Sequence, residues 1–222
     1  MAALGQLVAG VAHEVNTPLG AISSNINLLE TLANKNNPEK LLEYFKETIS
    51  VNKEAIRRIE KLVKSLKNFT RLDEAKKKKV NLQDGILSTI DLLEHETKNK
   101  VKIKTDFAQL PLISCYPDYI NQVFMNIILN ACQSITKDGE VVIKTSIEDN
   151  YAKISISDNG SGIKKDDLQK IFDFGFTTKK IGQGTGLGLA LAKKIIDEHK
   201  GKITVDSIVG RGTTFNIFLP IE

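Results

Sequence analysis

The most constraining feature of the chain is a spacing. From Leu4, apolar residues recur at positions 4, 8, 11, 15, 19, 22, 26 and 29, in steps of three and four. At 3.6 residues per turn such positions share one side of a helix, and the stripe is long enough to pack along its whole length. The polar run Asn34, Lys35, Asn36 and Asn37 ends at Pro38, a residue suited to a first helical turn. The period then resumes at Leu42, Phe45, Ile49, Ile56, Ile59, Val63 and Leu66, interrupted by Asn52. A single hairpin of two such helices buries its stripes badly, so pairing of two copies into a four-helix bundle, a homodimer, is expected.

The period disappears between Asp73 and Lys79, where nearly every residue is charged. That run reads as a linker, dividing the chain into residues 1–74, a linker at 75–80, and a second domain over 81–222. Helical patterns follow near 84–98, 117–134 and 186–199. Alternating, β-branched strands are expected near 101–107, 140–147, 152–158, 202–207 and 213–219. Several strands adjoin in sequence, so the sheet should be mixed. The fold class is α+β: a dimerising two-helix hairpin followed by an α/β sandwich.

Composition narrows the function. Apolar residues are 41% and charged residues 26% of the chain, as in an ordinary folded protein. The net charge of +4 is modest, and the basic run Lys76–Lys79 has no interleaved aromatics, which argues against nucleic-acid binding. Cys115 and Cys132 lack metal-site spacing and read as reduced thiols. No apolar run reaches the roughly 20 residues that span a bilayer. A cytoplasmic location without membrane contact by this stretch is expected, with anchoring of a longer protein left open. A helical pattern already running at Leu4, with no cap before it, is expected to continue such a protein.

His13 lies two residues from both Val11 and Val15, so it should point away from the stripe they help to form. Thr17 lies one turn further on the same face, Glu14 is adjacent, and Pro18 should bend the helix locally. An imidazole of ordinary pKa, about 6.5, keeps a ring nitrogen free for attack on phosphorus near neutral pH. Glu14 could take the proton or hydrogen bond of the other nitrogen.

In the second domain, Asp158 closes a strand and is followed by Asn159, Gly160, Ser161 and Gly162, a turn that allows close backbone approach to a planar ligand. An ionised carboxylate only accepts, so it favours the exocyclic amine of adenine over the carbonyl of guanine. Gly182, Gly184, Gly186 and Gly188 lead into a helix whose free amides suit a polyphosphate. Between them, Phe172, Phe174, Phe176, Thr177, Thr178 and Lys179 suit a lid, although the phenylalanines also read as core. Asn126 and Asn130 share a helix face, where amide oxygens could hold Mg²⁺ or simply pack.

Together these segments resemble the histidine kinase family of two-component signalling, whose ATP-binding domain is of the gyrase, Hsp90 and MutL kind. His13–Leu19 (HEVNTPL) resembles the phosphoacceptor box, Asn126–Asn130 the asparagine box, and Asp158–Gly162 the first glycine box. Phe172–Phe176 resembles the phenylalanine box, Gly184–Gly188 the second glycine box, and Gly210–Phe215 the glycine-threonine strand.

The resemblance implies that His13 accepts the γ-phosphoryl group of ATP with Glu14 as base, and that Thr17 serves dephosphorylation of a partner. It also implies that Asp158 reads adenine with Thr213 beside it, that Asn130 ligates Mg²⁺, and that Asn126 supports the phosphates. The nucleotide-contacting set extends over Gly160, Gly162, Thr177, Thr178, Lys179, Gly184, Gly186, Leu187, Gly188 and Leu189. The implied partner is the receiver domain of a response regulator. Transfer within or between subunits is equally compatible with these residues. The rival reading is an ATP-driven clamp or chaperone of the same nucleotide-binding superfamily, forming no phosphohistidine.

Overall fold

Periodicity becomes two helices of equal length, α1 (Ala2–Asn34) and α2 (Pro38–Thr70), with Pro18 inside the first. The computed structural model describes residues 2–35, 38–70, 76–97, 101–179 and 186–221. It divides into two compact units, Met1–Arg71 with Thr177–Thr185, and Leu72–Phe176 with Gly186–Glu222.

Within the first unit the apolar stripe is two stripes. Pro18, Thr48 and Ala55 are buried, and Ile22, Asn25, Leu29 and Leu32 on α1 and Leu41, Asn52 and Ile59 on α2 are half-buried. Leu19, Ile26, Leu42, Phe45, Ile49, Ile56 and Val63 instead stay between 38% and 58% exposed. A helix pair can shield only residues lying between its axes, so seven of the eleven described seam positions face outward. Asn52 also finds its explanation, because Asn25 Nδ2 donates to its Oδ1 at 2.8 Å. The satisfied pair suits a part-buried position where either amide alone would be costly.

The second unit begins with β1 (Lys78–Val80), α3 (Leu82–Thr97), β2 (Val101–Phe107), β3 (Ile113–Cys115) and α4 (Pro117–Ser134). It continues through β4 (Gly139–Glu148), β5 (Tyr151–Asp158), α5 (Gly188–Glu198), β6 (Lys202–Ile208) and β7 (Gly212–Pro220). The main sheet runs β2-β4-β5-β7-β6, parallel between β2 and β4 and antiparallel elsewhere. The expected mixed sheet is therefore present. A separate antiparallel pair joins β1 to β3, so Lys78–Val80, assigned above to the linker, are strand.

The core lies between this sheet and its helices. Alternation along β5 turns Ala152, Ile154, Ile156 and Asp158 inward, and along β7 Thr213, Phe215, Ile217 and Leu219. Against them α4 sets Ile120, Val123, Phe124, Ile127 and Ile128, and α5 sets Leu191, Ile195 and Ile196, all below 4% exposed. Each such side chain contributes roughly 1.5–3 kcal/mol of burial. Both cysteines are buried free thiols, and burial pushes Cys115 up to about 11, which leaves it unreactive.

Candidate functional site: an acceptor floor tied to a helix terminus

Strand alternation alone places a carboxylate at the edge of the core. Asp158 is the last inward position of β5, 8% exposed, and pairs across the ladder with Thr213 of β7. Its Oδ1 accepts the Gly160 amide at 2.9 Å and the Ser134 hydroxyl at 2.9 Å. Burial raises the carboxyl above its ordinary value, while hydrogen bonds from the Gly160 amide, the Ser134 hydroxyl and the Thr213 backbone oppose that rise.

The flanking polar groups are locked as well. Thr213 is 5% exposed and its hydroxyl lies 2.9 Å from that of Ser207. Ser207 Oγ also accepts the Ile163 amide at 2.8 Å, which pins the chain just after Gly162. Ser161 donates its amide to the Ser134 carbonyl at 3.1 Å, so both sides of the glycine turn are tied to regular elements.

Asn126, Asn130 and Ser134 are spaced i, i+4, i+8 and therefore share one face of α4. At one end, Asn126 Nδ2 donates to the Gly188 carbonyl at 3.0 Å, joining α4 to the start of α5. At the other, Ser134 reaches Asp158. Eight residues at 1.5 Å each separate these two attachments by about 12 Å. The first turn of α5 carries no acidic residue and its N-cap, buried Leu187, gives no side-chain cap, so within that turn no carboxylate offsets the positive end of the helix.

The expected residues are thus partly assembled. Asn126, Asn130, Asp158, Gly160, Gly162, Gly186, Leu187, Gly188, Leu189 and Thr213 lie in the second unit. His13, Glu14 and Thr17 lie on α1 in the first, Thr17 exposed. The side chains of His13 and Glu14 fall outside the described residues, as do Gly182 and Gly184 altogether. Thr177 and Thr178 are exposed and half-buried Lys179 donates its amide to Thr177 Oγ1 at 3.2 Å, in the first unit. Phe172 packs edge-on against Phe215 at 6.5 Å between centroids, which supports the core reading for that ring. Among the described residues, no three or more His, Cys, Asp or Glu side chains gather as a metal cluster, and no helix is long and apolar enough to cross a membrane.

Sequence reasoning missed Ser134 and Ser207. Ser134 was legible in principle, being one more i+4 step beyond Asn126 and Asn130. Ser207 was not, because its role depends on the pairing of β6 with β7.

Comparison with known proteins identifies two family domains along the chain. Residues 3–75 match the His Kinase A (phospho-acceptor) domain family, and residues 115–222 match the histidine kinase-, DNA gyrase B- and HSP90-like ATPase family. The chain is 37% identical over its whole length to the signal transduction histidine-protein kinase AtoS of Escherichia coli K12, covering 36% of that protein. It is 33% identical over its whole length to the sensor histidine kinase ZraS of the same strain, covering 46% of it. It therefore spans less than half of these relatives. Among solved structures, the catalytic domain of histidine kinase ThkA matches 65% of this chain and 95% of its own at 30% identity and TM-score 0.59. ThkA solved with the response regulator TrrA matches all of this chain and 63% of its own at 25% identity and TM-score 0.73.

Proposed function

Because the chain belongs to the sensor histidine kinase family of two-component signalling, we propose that it transfers the γ-phosphoryl group of ATP to His13 and then to an aspartate of a response-regulator receiver domain. The observation that carries the nucleotide half is the span of α4. One face of this helix is tied to a carboxylate at one end and to the positive amino end of α5 at the other. Those are the two chemistries that adenine and polyphosphate require, set apart along one rigid element.

In this reading Asp158, with Thr213 beside it, accepts from the adenine amine, and Gly160 and Gly162 let the base approach the backbone. Gly186, Leu187, Gly188 and Leu189 present the α5 terminus to the phosphates, Thr177, Thr178 and Lys179 belong to a lid, and Gly184 is a further phosphate contact implied by the family resemblance. The amide oxygen of Asn130 fits Mg²⁺, a hard cation usually held by few protein oxygens together with substrate phosphates, and Asn126 steadies that region. The metal would neutralise charge on the transferring group. A ring nitrogen of His13 attacks the γ-phosphorus as the β,γ phosphoanhydride bond breaks and ADP leaves, Glu14 accepts the proton or hydrogen bond of the other ring nitrogen, and Thr17 serves dephosphorylation of the regulator.

The functional division is a helical domain over 1–74 and a nucleotide-binding domain over 81–222, with the part of the 75–80 linker that forms β1 belonging to the second. A second copy covers the outward leucine, isoleucine and phenylalanine stripe of α1 and α2. The regulator docks on the helical unit near His13, in keeping with the regulator complex solved for ThkA. A cytoplasmic setting follows from the use of ATP.

The test is incubation with γ-labelled MgATP beside a His13→Gln variant. Acid-labile, base-stable label on the parent alone is the expected result. Equal labelling of the variant, or phosphate released to water with no labelled protein, refutes the proposal.

A further inference from the structure

Ser134 poses a question of proton supply. Its hydroxyl lies 2.8 Å from the Ala131 carbonyl and 2.9 Å from Asp158 Oδ1, and a hydroxyl has one proton to give. An ionised carboxylate is the stronger acceptor, so in the charged form of Asp158 the proton goes to Oδ1. If Asp158 is protonated, the hydroxyl turns to Ala131 and the bond to the carboxylate loses its charge assistance. The hydroxyl is therefore a donor that discriminates between the two forms of Asp158.

Its placement is built, not incidental. Ser134 ends α4, its carbonyl holds the Ser161 amide at 3.1 Å, and a side chain at position 160 would collide with the Ser134 hydroxyl and lie 2.8 Å from its backbone carbon. Gly160 is thus the residue type that lets Ser134 and its own amide converge on one carboxylate oxygen. With Oδ1 held from two sides, the orientation of the carboxyl group is set.

We propose that Ser134 is a positioning residue of the nucleotide site, holding the Asp158 carboxylate in the orientation and acceptor-only state that selects a 6-amino purine. This rests on the reading of Asp158 as the adenine contact. The causes acting on Asp158 are burial and hydrogen bonds from Gly160, Ser134 and Thr213, with no charged side chain among them. Its neighbours on β4 and β7 are Val141 and Thr213, and Glu140, nearest in charge along β4, is paired with Lys104 at 2.5 Å. Ser134 is then the principal side-chain control on this carboxylate.

The experiment measures dissociation constants for ATP and for ITP, its 6-oxo counterpart, from pH 5 to 8 on the full chain carrying Ser134→Ala, Ser134→Thr or Asp158→Asn. Loss of one hydrogen bond to a charged group predicts about tenfold weaker ATP binding by Ser134→Ala at neutral pH. The same loss moves the acid limb of ATP binding upward by about one pH unit and narrows the preference for ATP over ITP below it. Ser134→Thr, which keeps the hydroxyl, should follow the parent. A Ser134→Ala profile superimposable on the parent, or a Ser134→Thr profile matching Ser134→Ala, overturns the role of Ser134. If Asp158→Asn loses ATP while Ser134→Ala does not, only the positioning role falls; parental ATP affinity in Asp158→Asn overturns the adenine reading as well.

Discussion

Two glycines two residues apart share a positive φ but differ in the space beside them, and exchanging each for alanine separates the two effects. Gly212 has φ +113 and Gly210 has φ +77, so either substitution forces an L-residue into unfavourable backbone, at about 1–2 kcal/mol. At Gly210 nothing lies within 4 Å of the added carbon, so that cost stands alone. At Gly212 the methyl would strike the Asp158 carbonyl and sit 2.9 Å from the Asn159 Cα. Both obstacles are backbone of the neighbouring strand end, with no flexible side chain to yield. Overpacking of this kind adds about 1–3 kcal/mol, giving roughly 2–5 kcal/mol in all.

Relief at Gly212 must come from parting β7 and β5 at the Asp158–Thr213 rung, which is the acceptor floor itself. Urea unfolding followed by far-ultraviolet circular dichroism should show Gly212→Ala losing about 1–3 kcal/mol more stability than Gly210→Ala. Calorimetric ATP titration, made where both remain folded, should show binding weakened only in Gly212→Ala. Equal stability losses, or a folded Gly212→Ala with parental ATP affinity, would refute the steric account.

Two further outcomes follow from other parts of the molecule. His199 is 5% exposed, accepts the Tyr116 amide on Nε2 at 3.0 Å and lies 2.7 Å from the Ile195 carbonyl through Nδ1, so it is held neutral. Burial first, then the Lys77 charge, depress its pKa against the opposing Ile195 bond and Glu198 charge. The unfolded chain therefore takes up the proton first: the stabilisation is complete above the ordinary value of 6.5 and is lost as pH falls below it through the folded value. Urea midpoints should drop more between pH 7.5 and 5.5 for the parent than for His199→Gln, and equal drops would contradict this. Phe45 and Ile56, 50% and 48% exposed on α2, should be shielded by a second copy. Phe45→Asp with Ile56→Asp should shift sedimentation from dimer to monomer, and an unchanged dimer would place the interface elsewhere.

Much of this architecture is local physics and was legible in residue order. The long helices follow from apolar steps of three and four. The burial of Asp158 follows from strict alternation along β5, and the turn after it follows from Gly160 and Gly162. Three-residue β1 and β3 escaped notice because segments that short carry no period; only their mutual ladder makes them strands.

By itself the sequence determined the element types, the inward faces and the chemical character of the nucleotide site, since these depend on side-chain periodicity and on steric limits acting over a few residues. Only the tertiary structure decided which part of the helical stripe the hairpin buries, that Asn52 answers Asn25, that β7 inserts between β5 and β6, and that Ser134 shares a carboxylate with Gly160. Each of these is a contact between groups distant along the chain, and a hydrogen bond of that kind exists only once packing has brought its donor to its acceptor.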